Sequence, residues 1–497
     1  TAAGDGSDEG GGTFGVFTAG QLAGSVTVSV ANAPTGAKLD AWIDFNHDGT
    51  WGGPGEQIFE SKAVIAGDNR LTFTIPSYAI IGQTFARFRL STAGDLGVGG
   101  FAPDGEVEDY VVTIQPPTSP DGSGTFLGST SIPGAFSSVS TVYAADLDGD
   151  GDLDSLTASF GSGQIAWQAN DGVGNFTSRG VIATIGGASS AIAADIDGDG
   201  RLDVIATSYS TNSVLWYKNT ESNGVVTFIE QAAIDDQNAP LVSKAFAADM
   251  DGDGDIDLLS ASVGVGTAGG VIKLYLNNGP GNALTPIVVR GGLNAPYDVT
   301  AADLDHDGDM DILAALTGSN TVVWYENAEA FGFPDDSSHT HIVSSQAIGA
   351  HRVLAVDMDL DGDIDIVSSS INDNRITWHE NNGPGTTTII HEIDTSVTGA
   401  TGVRSIEVAD LDGDGDVDVL ASLFGDNSFV WFRNNGSQVY SRITIEASIS
   451  GAHSAVAADL DGDGDLDVLA GSYFGNTVVW YENTSVDFGD APLPYPT

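Results

Sequence analysis

AADLDGDGDLDVLA, residues 457–470, decides how the rest of the chain is read. Counting from Asp459 as position 1, aspartates stand at positions 1, 3, 5 and 9 (Asp459, Asp461, Asp463 and Asp467), with Gly464 at position 6. Six earlier stretches repeat the pattern. Their positions 1, 3, 5 and 9 are Asp146, Asp148, Asp150 and Asp154 in the first, and Asp195, Asp197, Asp199 and Asp203 in the second. Next come Asp249, Asp251, Asp253 and Asp257, then Asp303, Asp305, Asp307 and Asp311. The fifth and sixth are Asp357, Asp359, Asp361 and Asp365, then Asp410, Asp412, Asp414 and Asp418. Position 6 is glycine in all seven.

A hard divalent cation such as calcium takes six to eight oxygen ligands, and alternate residues of a tight loop can aim successive carboxylates at one centre. Glycine at position 6 permits the sharp turn because it reaches positive φ without a Cβ clash. Position 7 is Asp152, Arg201, Asp255, Asp309, Asp363, Asp416 and Asp465. An arginine is tolerated there if the residue ligates through its backbone carbonyl. One Asp-Gly turn is ordinary; seven in register imply seven calcium ions. The loop is not an EF-hand, which closes with Glu at position 12 between helices. Here the closing acid is at position 9, and apolar β-type runs such as DVLAG flank the loop, so the expectation is strand–loop–strand.

The first aspartates are separated by 49, 54, 54, 54, 53 and 49 residues, a period that suggests several strands per unit, as in propeller blades. Trp167, Trp216, Trp324, Trp378, Trp431 and Trp480 each follow their loop's first aspartate by 21 residues. In the third repeat Tyr275 is expected to take that place, after the insertion GVGTAGG. These aromatics are read as packing between blades. Each repeat then holds four strands: one ending at the loop, one leaving it, one carrying the tryptophan, and a variable outer strand. The seventh repeat stops after TVVWYEN, and an orphan strand at residues 125–132 is expected to pair beside residues 477–483 and complete it.

The formal charge is −53, and the loops hold 34 of the 69 acidic residues. Seven calcium ions would bring the charge to −39. Such a surface argues against nucleic-acid and anionic-membrane partners, which need basic patches. There is no cysteine, hence no disulfide, zinc-thiolate or cysteine-nucleophile chemistry. No apolar run is long enough for a membrane-spanning helix. Multi-carboxylate calcium sites suit an extracellular, cell-surface setting. The chain opens inside a Gly/Asp-rich segment and is read as a mature or excised piece.

Residues 1–115 read as a β-sandwich with alternating strands. Within it, DFNHDGTW places Asp44, Asn46 and Asp48 at positions 1, 3 and 5, with Glu56 following. This marks a further candidate calcium site; an Asx-rich hairpin is the other reading. AWIDFNHDGTW, GEQIF, FARFRLST and GEVEDYVVTI resemble the GEVEDY-type sandwich of large bacterial surface proteins, here incomplete at its start. Residues 116–124 read as a linker. Residues 125–483 resemble the FG-GAP/VCBS repeat family, which includes the seven-bladed propeller of integrin α subunits. That resemblance implies an all-β fold, one calcium per blade, and a role in adhesion or ligand display. The FG and GAP tripeptides are poorly kept, so integrin-like ligand chemistry does not carry over.

Residues 484–497, TSVDFGDAPLPYPT, are similar to the opening of another sandwich unit. The expected partners are therefore other copies of the chain, joined tail to head, or neighbouring units of a longer surface protein. No catalytic constellation is expected, since the repeated acids are symmetric and committed to cations. The functional expectation is a calcium-rigidified structural or adhesive module, with a glycan-binding propeller as the alternative. His339 and His341, in the insertion FGFPDDSSHTH with Phe331 and Phe333, form either a binding edge or a solvated loop.

Overall fold

The computed structural model describes residues 126–484 apart from 223, 236–239, 266–268, 280–283, 329–331, 335–337, 384–388, 395–401 and 437. Before these it describes 12–14, 17–18, 24–30 and most of 37–115. Asn46, Asp48, Phe331, the 116–124 linker and the tail from 485 onward, on which the tail-to-head expectation rests, lie outside the described residues.

Every described element is a strand. The first two sheets face one another. Gly12–Phe14, Gly24–Val30 and Gly67–Phe73 form one. Phe17–Thr18, Glu106–Gln115, Gly82–Ser91, Lys38–Ile43 and Gln57–Ala63, in that spatial order, form the other. Alternation explains the packing: in Gly82–Ser91, Ala86 and Phe88 point inward while Phe85 is 55% exposed. Val26 and Val30 from the smaller sheet meet Phe17, Leu39, Ile43, Phe88 and Ile114 from the larger in one core.

Seven four-stranded antiparallel sheets follow. The first contains Val139–Ala145, Asp154–Ser159, Gln164–Ala169 and Thr177–Thr184, paired in chain order. In each sheet the acidic loop joins the first strand to the second, as the sequence predicts. The second strand is buried at all six residues in every sheet, because neighbouring sheets cover both its faces. First strands pack beside first strands through the series, and Ala452–Ala458 of the seventh sheet lies beside Val139–Ala145 of the first.

The orphan strand lies where expected. Thr130–Ser131 pairs with Thr477–Tyr481, and Phe126 bridges to Asn483. Leu127 and Ile132 donate backbone N–H groups to Glu482 and Val478, at 2.8 and 2.9 Å. The seventh sheet thus takes its outer strand from before the first, covering an edge that would otherwise be open.

The third repeat corrects one expectation. Leu274, not Tyr275, occupies the tryptophan position: Leu274 pairs with Leu259 as Trp167 pairs with Leu156. Tyr275 aligns instead with Tyr217 and Tyr325. Its hydroxyl lies 3.1 Å from Ser260 and 3.0 Å from Asp235. The insertion before it lengthens the repeat by four residues rather than five, and only strand register reveals this. His341 is also settled. It lies in Thr340–Ser344, stacked 4.0 Å from Trp324, with its Nε2 2.9 Å from Glu326; this is a strand packing role.

Candidate metal centre

The acidic loops build their own cradle. The position 1 carboxylate accepts successive backbone N–H groups: Asp146 takes Gly149 at 2.7 Å, Asp150 at 3.1 Å and Gly151 at 3.0 Å. Asp150, at position 5, accepts the Asp152 N–H at 3.1 Å. These bonds wind the loop tightly, and position 6 is left-handed throughout, from Gly200 at φ 85° to Gly464 at φ 99°. Only glycine adopts that backbone without strain.

Position 9 has a structural task beside any metal role. Asp154 accepts N–H groups from Leu147 (3.0 Å), Asn170 (2.9 Å) and the Trp167 indole (2.9 Å). Trp216 and Trp378 reach Asp203 and Asp365 in the same way, each at 2.9 Å. The tryptophan landmark therefore does more than pack. Burial pushes the position 9 carboxyls up, to about 6 for Asp203, about 7 for Asp154, Asp257 and Asp365, about 8 for Asp311, and about 9 for Asp418 and Asp467. Hydrogen bonds from the backbone oppose that rise and do not cancel it.

Position 3 holds the unmatched acceptors. Among the described residues, one buried carboxylate oxygen of each of Asp148, Asp197, Asp305 and Asp359, and both of Asp412, have no hydrogen-bond partner. A buried acceptor left unmatched is costly, and here it faces other acids. Asp146, Asp148 and Asp154 bring ligand oxygens within 4.8 Å of one another, as do Asp249, Asp251 and Asp257, and Asp303, Asp305 and Asp311. Burial and then Asp150 push Asp148 up to about 6; burial and then Asp361 do the same for Asp359. The clusters could hold metal ions, and the donor set, all oxygen, is that of a hard divalent cation.

Position 7 behaves as its mixed composition requires. The Arg201 side chain leaves the loop and pairs with Glu221 at 2.7 Å. Three loops carry arginine or lysine neighbours that sequence reading passed over; in the first, Arg179 lies 3.5 Å from Asp148. Lys218 sits on Asp197 and on Asp199, the latter at 2.8 Å. Arg433 sits on Asp412 and, at 3.4 Å, on Asp414. The equivalent place holds Glu326 in the fourth repeat and Glu380 in the fifth, where each adds to the repulsion on Asp305 and Asp359. In the sandwich, Asp44 is 4% and Glu56 1% exposed; Asn46 and Asp48 lie outside the described residues.

An asparagine stands three residues after the tryptophan position in every repeat, and its role was hidden in sequence. Asn170, Asn219, Asn277, Asn327, Asn381, Asn434 and Asn483 each donate a backbone N–H to their own position 9 aspartate, at 2.6–2.9 Å. Five also reach the preceding loop through Nδ2: Asn219 to the Leu147 carbonyl, Asn277 to Ile196, Asn381 to Leu304, Asn483 to Leu411. The fifth, Asn170, reaches Leu460 at 2.6 Å, from the first sheet to the seventh. The Nδ2 groups of Asn327 and Asn434 reach, among the described residues, only carbonyls of their own loops, Met310 and Val417.

A model of the FG-GAP-like repeat matches residues 146–206, 195–260, 249–314, 357–421 and 420–470, more than half the chain. The chain belongs to the FG-GAP-like repeat family. A model of the GEVED domain matches residues 38–113. Together the FG-GAP-like repeats and the GEVED domain suggest a surface or adhesion-type module. A search of curated proteins finds none that matches. Among solved structures, the complex of BBS1N with ARL6DN is 10% identical, with a TM-score of 0.46, over 72% of this chain and 96% of that one. A functionally unknown protein from Desulfotomaculum acetoxidans is 12% identical, with a TM-score of 0.40, over 64% of this chain and 88% of that one. No helix of the described residues is long and apolar enough to cross a membrane.

Proposed function

We propose that this FG-GAP-like chain is a calcium-stabilised extracellular module, structural or adhesive rather than enzymatic, whose seven sheets are the blades of a closed propeller. One calcium ion sits in each acidic loop. The observation that carries this reading is the buried, unpartnered position 3 oxygen in five loops, each facing further carboxylates. A cation of +2 satisfies that oxygen and relieves the repulsion together. Closure is supported by bonds from the seventh sheet to the first: Asn170 to Leu460, Ser138 N–H to Asn476 at 2.7 Å, and Val142 N–H to Ser454 at 3.2 Å. The −53 charge disfavours an apo form, and millimolar extracellular calcium suits weak loops of this kind.

Calcium counting tests the reading. After equilibrium dialysis in millimolar calcium, elemental analysis should return seven ions per chain, or eight if the Asp44 loop also binds. One or none would sink it. Tail-to-head joining of copies stays part of the proposal, tested by sedimentation of the intact chain against one ending at residue 484.

A further inference from the structure

At the end of the first strands remote from the acidic loops lies a cavity of about 520 Å³. Each sheet contributes the residue six places before its first aspartate: Ser140, Ser189, Ser243, Tyr297, His351, Arg404 and His453. Six residues of strand at about 3.3 Å each put the loops roughly 20 Å away, more than two Debye lengths at physiological salt. The loops are near-copies of one another; this ring is not. Three serines face a sector of histidine, arginine and tyrosine, an asymmetry that strand packing does not require.

The charge here runs against the rest of the molecule. The chain has 16 lysines and arginines against 69 acids, yet Lys244, Arg352 and Arg404 all line this cavity. Arg352 is matched by Asp298, at 3.0 Å. Lys244 and Arg404 have, among the described residues, no carboxylate within ion-pairing distance. Arg404 lies 4.9 Å above the Phe424 ring, with Nη1 3.4 Å from His351, and its Nε is buried with no hydrogen-bond partner among the described residues. Glu407, deeper along the same strand, is the remaining acid near Lys244. Arg404 is a buried cation and needs compensation; burial pulls Lys244 down to about 7, so an anion beside it would hold its proton, and the cavity has room for one beside both. Aromatic faces complete the wall: Tyr473 stacks 5.3 Å from His453, and Tyr297 lies 4.0 Å from His351. The serine hydroxyls already donate to backbone carbonyls, as Ser243 does to Tyr297 at 2.6 Å, so they are left to accept from a ligand.

We propose that this cavity binds a carboxylate-bearing sugar of the uronic-acid type. Arg404 and Lys244 take the carboxylate, Phe424 and Tyr473 take the apolar face of the ring, and the serine side accepts from its hydroxyls. The volume falls within the usual range for small-molecule pockets. The inference goes beyond the calcium-loop reading and does not depend on it.

The test is saturation-transfer NMR on the full chain in millimolar calcium, with D-glucuronate as the probe and D-glucose as its uncharged counterpart. Glucuronate should give a saturable signal, bind at least ten-fold more tightly than glucose, and weaken as salt is raised. Arg404→Gln and Lys244→Gln should each weaken glucuronate binding at least ten-fold, while Arg442→Gln, at an exposed residue paired with Asp426, should leave it unchanged. No saturable glucuronate signal, or equal binding of glucose by the unaltered chain, would overturn the proposal without recourse to any variant. So would an Arg404→Gln chain that binds as the parent does. A cavity filled only by water would give those negative outcomes.

Discussion

The two ends of each repeat sheet obey different rules. At the loop end, seven copies keep the same four aspartates and the same asparagine. At the other end, one equivalent position holds serine three times, then tyrosine, histidine, arginine and histidine. A cation needs its whole donor set in every copy, so the loop end has no freedom. The far end needs only a turn and a seam between sheets. A left-handed asparagine supplies both in several sheets: Asn320 (φ 59°), Asn374 (φ 58°) and Asn427 (φ 54°) each accept the N–H of a glycine that leads into the next sheet, at 2.8, 2.8 and 2.7 Å. Everything else there is free to differ, and single-copy chemistry can settle in it.

The largest expected effect comes from removing the cation. Each site held at a hundred-fold excess over its Kd contributes about 2.7 kcal/mol, so excess EGTA should lower the melting temperature substantially, with magnesium a poor replacement. The pH dependence should also change sign. The position 9 carboxyls, Asp467 among them, rise from 3.8 to between about 6 and about 9 when buried without metal. Over that range the folded chain keeps protons that the unfolded chain has released, so stability in EGTA should fall as pH climbs from about 4. In calcium, which requires ionised carboxylates, it should rise over the same range. Melting curves at pH 5 and 8, with and without calcium, decide it; parallel trends would break the assignment of the loop end to metal.

Next in size is the contrast within one loop. Asp154→Ala strands the Leu147, Asn170 and Trp167 donors and should cost about 3 kcal/mol or more. Asp152→Ala should stay within about 0.5 kcal/mol, because position 7 needs only its carbonyl. Equal urea midpoints would refute the loop numbering.

A smaller effect should separate the two fastenings of the seam between last and first sheets. Asn483→Ala strips donors from the Leu411 and Leu466 carbonyls and should cost about 1–2 kcal/mol. Asn476→Gly keeps the φ of 55° and loses the bond from Ser138 and an exposed one to the Phe474 carbonyl, a cost of about 1 kcal/mol. The first should also weaken calcium binding, and the second should not. The smallest effect is at Lys218. Lys218→Ala removes a cation that competes for Asp197 and Asp199, and should tighten the second loop's calcium affinity a few-fold by calorimetry, leaving the melting temperature in excess calcium nearly unchanged.

These contrasts also mark what the sequence made legible. The acidic loops, the four-strand repeat and the borrowed outer strand can be read directly, because each is a local pattern or its conspicuous absence. The asparagine fastening cannot: Asn219 stands in plain view, but its Leu147 partner is 72 residues away. Register in the third repeat is lost for a related reason, since an insertion hides whether Leu274 or Tyr275 follows the pattern. The cavity is the hardest case. Its walls come as one or two residues at a time from each repeat, such as His351 with Arg352 and Arg404 with Ser405, and no short window of sequence brings two repeats together.

On the calcium reading proposed above, the five asparagines that tie a loop to the one before would set how the ions are gained and lost. A cation that orders Asp203 also steadies Asn219, and through it Leu147 in the first loop. The ties run unbroken from the sixth loop through the seventh, first and second to the third, and separately from the fourth to the fifth. They lapse at Asn327 and Asn434. Filling should then proceed as two cooperative blocks, one of five loops and one of two, rather than as seven independent events. A calcium titration would show two steps, each steeper than a single-site isotherm.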